Sequence, residues 1–297
     1  MQTYSVDENP YRYVYVDLTG RCNMQCRVCY RPEQDASDLD LAYFAEVCRR
    51  LPRPVVIRAL GGEPTLHPEL TGFISAANAY GHVFTLGTNG RRLADCDFAR
   101  ALVDWRDPEY DGRFGPFPFA SFIDVSGGLA HDDVYEQLQG ARCADVKSRA
   151  LRNLLDLGYD RLALTAIIVR GLNEHVIPEL LSLAREHTGI RAVHFRNLAR
   201  VGRFLDTEPY RSEELLALVK GHLPGGGEGL RMHQRTPPEA DQNCRDCCFR
   251  FVTEDGIHVG VIEFASERSV RCWYRGHLVP DTFELHPWFE HMVETAS

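Results

Sequence analysis

Apolar residues fall in two alternating rhythms along the first two hundred positions of this chain. Short runs rich in Val, Ile and aromatics occur at "YVYVDLTG" (13–20), "PVVIRAL" (54–60), "HVFTLGTNG" (82–90), "FASFIDVSG" (119–127), "LALTAIIVRG" (162–171) and "RAVHFRNL" (191–198). Their length and residue types read as strands. Between them, 40–51, 69–80, 94–105, 146–158 and 174–187 place apolar residues at helical spacing. A strand–helix alternation of this kind predicts parallel strands joined by right-handed crossovers. Six units are two short of a closed eightfold barrel, so the expected fold is α/β, a partial (β/α)6 barrel with an open seam. By analogy with the closed barrel, chemistry belongs at the carboxyl ends of its strands.

The alternation stops near residue 205, which divides the chain into 1–205 and a second unit, 206–297. Residues 223–243 are rich in Gly, Pro and polar side chains, as a connection should be. A hairpin follows at "FRFVTEDGIHVGVIEF" (249–264), turning on Glu254-Asp255-Gly256. Residues 106–119 are too long for a tight connection and read either as a lid over the strand ends or as an insertion. There is no repeat beyond the alternation and no low-complexity segment.

Composition changes the picture in two ways. The 33 basic residues against 42 acidic ones give a formal charge of -9, which disfavours nucleic acid or an anionic membrane and favours a cationic partner. Ten cysteines with no secretory signal point to reduced thiols, metal ligation and the cytosol. No apolar run approaches the ~20 residues of a membrane span.

Three of those cysteines, Cys22, Cys26 and Cys29, fall in "RCNMQCRVCY" just past the first strand. Thiolates so spaced can hold an iron–sulfur cluster with one iron left open, or a zinc ion with a distant fourth ligand. Gly61, Gly62 and Glu63 end the second strand on the same rim, where a carboxylate can hold an ammonium group. Asp17, at the end of the first strand, either points into the barrel mouth toward an ammonium-bearing substrate or anchors the cysteine loop. The acids Asp107, Glu109 and Asp111 either meet amines or stay solvated.

The cysteine triplet, Gly61-Gly62-Glu63, "TNG" (88–90), "DVSGG" (124–128) and "IVRGLNEHVIPELL" (168–181) together resemble the radical S-adenosylmethionine (radical SAM) superfamily over about residues 10–200. That resemblance implies a [4Fe–4S] cluster on Cys22, Cys26 and Cys29, with SAM on its fourth iron. It implies that Gly61, Gly62 and Glu63 bind the methionyl amine and that Asn89, Ser126 and Arg170 touch SAM. It also implies an external one-electron donor of flavodoxin or ferredoxin type, and a deoxyadenosyl radical that takes hydrogen from a substrate carbon. The chain departs from the family pattern at Val28, where an aromatic is usual, and at Gly128 in the fourth motif.

A second group, Cys244, Cys247, Cys248 and Cys272, brackets the hairpin and suits an auxiliary [4Fe–4S] cluster or structural zinc. Neighbouring side chains on extended backbone point to opposite faces. Cys244, Cys247 and Cys272 are therefore assigned to the cluster and Cys248 to the barrel side as a free thiol, although all four as ligands remains the simpler count. The fourth ligand is open, with Cys143 one candidate; Cys48 and Cys96 read as packing. A thiol facing a carbon radical can return hydrogen to it, and the chain's size, its "CRDCC" group and its overall acidity resemble the radical SAM epimerases of aminoglycoside biosynthesis. The resemblance implies a polycationic aminosugar inverted at C-5''', neomycin C to neomycin B. The alternative is a dehydrogenase that passes the substrate electron to the auxiliary cluster. A peptide-modifying enzyme would need a peptide-binding domain, for which the dozen residues before the first strand leave no room, and a metal sensor would have no use for Gly61-Gly62-Glu63.

Overall fold

The computed structural model describes residues 3–31, 33–227, 231–232, 248–263 and 275–287. The chain opens with β1 (Tyr4–Ser5) and β2 (Tyr13–Thr19), followed by α1 (Leu41–Arg50). Then β3 (Val56–Gly61), α2 (Leu70–Ala79), β4 (Val83–Thr88), α3 (Cys96–Asp104) and β5 (Ala120–Asp124) alternate. Next come α4 (Asp132–Gln139), α5 (Ala144–Asp156), β6 (Leu162–Ile168), α6 (Val176–Glu186), β7 (Ile190–Asn197) and α7 (Ser212–Gly221). The chain continues through β8 (Arg231–Met232), β9 (Cys248–Val252), β10 (His258–Ile262), β11 (Arg275–Val279) and β12 (Glu284–Pro287).

All six strands expected in the alternation form, in chain order and parallel, from β2 to β7. Local chemistry sets the helix starts. Asp40 accepts the Tyr43 N–H at 2.7 Å to begin α1, and Asp95 accepts from Asp97 and Phe98 to begin α3. Gly140 closes α4 in the left-handed conformation, at φ 68°.

Two helices were not expected. α4 is short and mostly polar, and buries only one face, through Val134, Tyr135 and Leu138. α7 lies beyond the alternation and packs Leu215 and Val219 against β7, β9 and β10. Its first N–H donates to the buried Glu263 carboxylate at 2.7 Å.

The described strands of 206–297 extend both edges of the same sheet. The order is β1-β12-β11-β2-β3-β4-β5-β6-β7-β10-β9-β8, with β10 parallel to β7 and β11 parallel to β2. The expected hairpin is β9–β10, with Cys248 opposite Ile262 and Gly256 at φ 85° in its turn. The sheet curls back on itself. Arg250 of β9 donates to the Tyr13 hydroxyl of β2 at 2.9 Å, although six strands separate β9 from β2 in the ladder.

Period-two alternation then sorts the side chains. Val14, Val16, Ile57, Ala59, Phe84 and Leu86 face outward and are buried under helix residues such as Phe44, Val47, Phe73 and Ile74. Burying each large side chain contributes about 1.5–3 kcal/mol, so the core lies between sheet and helices. Tyr13, Tyr15, Arg58, Leu60, Phe122, Arg196 and Cys248 carry the opposite parity and line the inside. The segment 106–119 enters β5 from the amino end of the strands. Its Asp107 is tied to Ser75 and Asn78, and Arg113 donates to the Gly81 carbonyl. It is an insertion packed on α2, and the lid alternative is set aside.

Candidate functional site: a thiol-lined rim above a basic interior

Cys22, Cys26 and Cys29 line one cleft at the carboxyl ends of the strands, together with Gly61, Gly62, Glu63, Thr88, Asn89, Asp124 and Arg196. All three thiols are free and half-buried. Burial pushes the Cys22 thiol up, with the Glu63 carboxylate and Cys29 adding to it. Burial also pushes Cys26 up to about 12, reinforced by Asp124 and its neighbouring cysteines. Cys22 and Cys26, buried beside carboxylates and other thiols, hold their protons until a positive group enters.

A thiolate-ligated iron cluster is such a group, and three thiols on a loop around one cleft fit it. Among the described residues, no three His, Cys, Asp or Glu side chains converge closely enough to share a single ion. A cluster, with its several irons, spreads its ligands further apart than one ion does.

The glycines serve the loop's approach. A side chain on Gly62 would meet the Arg21 carbonyl at 2.1 Å, and Gly61 sits at φ 113° with the Thr19 carbonyl 2.5 Å from where its Cβ would be. The Gly62 and Glu63 N–H groups donate to the Thr19 and Arg21 carbonyls, both at 2.7 Å. These bonds fasten the cysteine loop to the end of β3.

Glu63 differs from the simple expectation of a free carboxylate. It accepts from the Thr65 N–H (3.1 Å), the Thr65 and Thr88 hydroxyls (both 2.6 Å) and the Asn89 N–H (2.7 Å). Four donors fill the acceptor positions of a carboxylate, so in this state it ties the ends of β3 and β4 together. Asn89 lines the cleft as expected, and its amide donates to Asn23 in the cysteine loop at 2.8 Å.

Three expected site residues lie elsewhere. Asp17 accepts from Arg31 (3.0 Å) and Tyr30 (3.2 Å) and faces His277 at 3.5 Å. Burial raises its carboxyl, but His277, Arg31 and Tyr30 more than offset this and hold it below the usual range. Tyr30 also receives the Gly61 N–H at 3.0 Å, so Asp17 braces the cysteine loop. Ser126 is buried behind the rim, donating to Asp124 and accepting from the Ile167 N–H. Arg170 is exposed, paired with Glu214 at 3.1 Å and stacked 4.0 Å over Tyr210. Its charge is directed at α7.

In their place the structure brings Asp124, Gln139, Arg196 and Arg203 to the cleft. Arg203 is tied to Cys29 by a pair of 2.9 Å backbone bonds, a juxtaposition invisible along the chain. Lys147 is fully buried and donates to the Asn89 and Asp124 carbonyls at 2.7 and 2.8 Å, joining β4's end to β5's. Cys143 is buried against Met24 and Tyr135 beside Cys22 and Cys26. Cys48 is buried as expected, whereas Cys96 is exposed. Of the acids in 106–119, Asp107 is tied as above, Asp111 pairs with Arg113, and Glu109 is exposed.

Below the rim the interior is basic. Arg58 lies 5.0 Å from the Tyr13 ring and 5.5 Å from Phe122; Arg196 is 5.5 Å from the same Phe122 ring and Arg250 is 5.5 Å from Tyr13. Burial lowers Arg196 to about 10, with Arg58 and Arg275 adding to the fall against Tyr15 and Asp124. Burial, then Arg58, Arg250, Arg196 and Arg275, depress His194 well below its usual value. A polycationic aminosugar, which the resemblance implies and the overall charge favours, would meet repulsion from these groups. Net charge counts the whole surface, whereas a ligand meets the local field.

Tyr13 reports that field. Burial raises its phenol, but Arg250 and Arg58, with the Arg250 hydrogen bond, outweigh it and bring it to about 8. A depressed acid contributes stability as its anion, fully above the unfolded value near 10 and lost as pH falls through about 8. Tyrosinate absorbance near ~295 nm should therefore show one tyrosine titrating about two units early, and Tyr13→Phe should remove that step. Retention of the early step in Tyr13→Phe would place it on another residue.

Cys248 stands on the same inner wall. It packs with Tyr13, Tyr15, Val201 and Ile262, alongside the cleft residues Tyr30, Leu60 and Ala199, and its sulfur accepts from Arg275 at 3.8 Å. Cys244, Cys247 and Cys272 lie outside the described residues.

Residues 16–111 match the model of the Radical SAM superfamily. Among curated proteins, the chain is 23% identical to the 7,8-dihydro-6-hydroxymethylpterin dimethyltransferase of Methanocaldococcus jannaschii over 197 residues, 63% of this chain and 36% of that one. It is 26% identical to the GTP 3',8-cyclase of Acidothermus cellulolyticus over 232 residues, 72% of this chain and 59% of that one. The chain thus spans less than two thirds of either relative's length. Among solved structures, Streptococcus suis SuiB bound to S-adenosylmethionine aligns with a TM-score of 0.57 at 16% identity, covering 70% of this chain and 46% of that one. At that identity the likeness is one of fold. The family model, over about a third of the chain, and these relatives make the chain similar to the radical SAM superfamily, a family that implies a [4Fe–4S] cluster and SAM. No described helix is long and apolar enough to cross a membrane.

Proposed function

We propose that this protein is a radical SAM epimerase that inverts a C–H centre of a small molecule held inside the curled sheet, with Cys248 as the hydrogen donor. The observation that carries this is the position of Cys248: an accessible thiol on the inner wall, among residues that border the cleft. Cys22, Cys26 and Cys29 would hold the [4Fe–4S] cluster, and Asn89 and the Gly61–Gly62 backbone would border the SAM beside it. When bound, that pair supplies one-electron cleavage of the sulfonium and abstraction of a hydrogen atom.

The chain's own residues do the rest. Tyr30 and Arg31, braced on Asp17, hold the loop in place, and Glu63 and Lys147 fix the strand ends that shape the rim. At the substrate carbon a C–H bond breaks on one face. On the other, the Cys248 S–H bond breaks and a new C–H bond forms, and the thiyl left behind takes one electron from the external donor and one proton from solvent. Cys244, Cys247 and Cys272 would hold an auxiliary [4Fe–4S] cluster, which would supply one-electron redox chemistry. The relatives named above, a GTP cyclase and a pterin methyltransferase, are named for small molecules, which accords with a substrate of that size. The basic wall weighs against neomycin C, a polycation, as that substrate.

Turnover in D2O tests the reaction. Candidate sugars and nucleotides incubated with reduced enzyme and SAM should give a product of unchanged composition carrying one deuterium at the inverted carbon. A carbonyl product without deuterium, as the dehydrogenase alternative requires, would overturn the epimerase reading.

A further inference from the structure

We infer that the interior of the curled sheet is an oxyanion-binding site, so that the substrate carries a phosphoryl or carboxylate group anchored by Arg58 and Arg250 and flanked by Arg196 and Arg275. This rests on the reading that the substrate lies inside the sheet, and it adds the chemical class. Arg58 stands on β3, Arg196 on β7, Arg250 on β9 and Arg275 on β11, so four separate strands deliver one charge type to one enclosure.

The convergence can be followed ring by ring. Arg58 and Arg250 share the face of Tyr13, and Arg58 and Arg196 share that of Phe122. Aromatic faces accept guanidinium charge at a gain of about 0.5–2 kcal/mol each, which steadies the planes but leaves their N–H edges to other partners. The Arg58 Nε is buried with no hydrogen-bond partner among the described residues.

Among the described residues, neither Arg58 nor Arg250 pairs with a carboxylate, and Asp160, which shares the lower cavity with Arg58, is taken by Arg191. Among the described residues, the carboxylates of inward parity on β2 and β5 are Asp17 and Asp124. Asp17 already faces Arg31 and His277, and Asp124 accepts from Ser126 and Gln139 while acting on Arg196. Like charges gathered in a low-dielectric enclosure repel, and an incoming oxyanion relieves that cost while accepting bidentate bonds from guanidinium edges.

The placement also suits the chemistry. Phe122 borders both the upper cleft and the lower cavity that Arg58 lines. An anion seated on Arg58 and Arg250 directs the rest of the molecule upward, past Cys248 on one wall and toward the cysteine loop. It thereby fixes which carbon lies between thiol and rim.

Binding and turnover can be read separately. Anaerobically reconstituted protein should bind inorganic pyrophosphate or malonate in a calorimetric titration, weakening as salt rises. Preference between the two probes distinguishes a phosphoryl from a carboxylate group. Arg58→Gln and Arg250→Gln should each weaken binding about tenfold, and Arg49→Gln, on exposed α1 beside Glu46, should not change it. Iron content should be unaltered in all three.

In the unmutated protein, pyrophosphate should slow phenylglyoxal modification of Arg58 and Arg250, a readout that does not depend on the variants folding. Absence of binding by both probes, unprotected modification, or loss of iron in Arg250→Gln with anion binding intact would overturn the inference. The last result would assign the charge to the auxiliary cluster. Anion binding that survives a failed deuterium experiment would remove the epimerase reading and leave this site standing.

Discussion

Replacement of Cys22, Cys26 or Cys29 by Ala is expected to abolish SAM cleavage while leaving the protein folded. Each thiol borders the same cleft, and two thiolates cannot hold what three hold at an open-iron cluster. Folding should survive because the three side chains are half-exposed on a loop and the main core lies on the other side of the sheet. The loop keeps its other fastenings: Tyr30 and Arg31 to Asp17, and the Gly62 and Glu63 N–H groups to the Thr19 and Arg21 carbonyls. The measurement is 5'-deoxyadenosine formed by reduced, reconstituted protein, with iron content and far-UV circular dichroism alongside. Ordinary deoxyadenosine from any one variant would remove that cysteine from the ligand set. Collapse of the circular dichroism spectrum would show that the loop carries more of the fold than its burial implies.

The Cys248→Ala variant should uncouple cleavage from inversion. The residue lies two places along β9 from Arg250 and outside the cysteine loop, whose fastening through Tyr30 and Arg31 to Asp17 the substitution leaves in place, so SAM binding and cleavage should persist. With no donor on the far face, the product should appear below a hundredth of the normal rate, while deoxyadenosine continues to accumulate. That loss corresponds to at least about 2.7 kcal/mol at the step that returns hydrogen. Iron content is the control. A free thiol can be removed without loss of iron, whereas a cluster ligand cannot. Near-normal inversion by Cys248→Ala would end the donor assignment, and loss of auxiliary iron would make Cys248 a ligand. Ser is the weaker substitute, since an O–H bond is too strong to donate hydrogen yet can still coordinate iron.

Much of the fold was legible because period and punctuation agree for β2 to β7. Each strand is a short run of β-branched and aromatic residues, and each of the five expected helices has apolar spacing flanked by capping or breaking residues. α4 and α7 escaped notice for different reasons. α4 turns only a few apolar residues inward, and α7 packs on strands of the C-terminal stretch, so its apolar face had no visible partner along the chain. Strands β11 and β12 are five and four residues long and gain their meaning from pairing with β2, with β1 and with each other.

The sequence by itself determined the cysteine loop, its place past the first strand, and the Gly61-Gly62-Glu63 turn beside it. These are local facts: ligand spacing, and a backbone that tolerates no side chain where the loop crosses it. Tertiary structure alone decided what each polar group faces. It turned Asp17 into a brace by bringing Arg31 and Tyr30 to it, drew Arg170 away to Glu214, and seated Arg203 beside Cys29. It also set Arg58, Arg196, Arg250 and Arg275 around one enclosure in a chain whose total charge is -9. The physical reason is that strand period fixes only which face a side chain takes. Curling a sheet is a long-range event, and it alone makes neighbours of Tyr13 and Arg250, 237 positions apart.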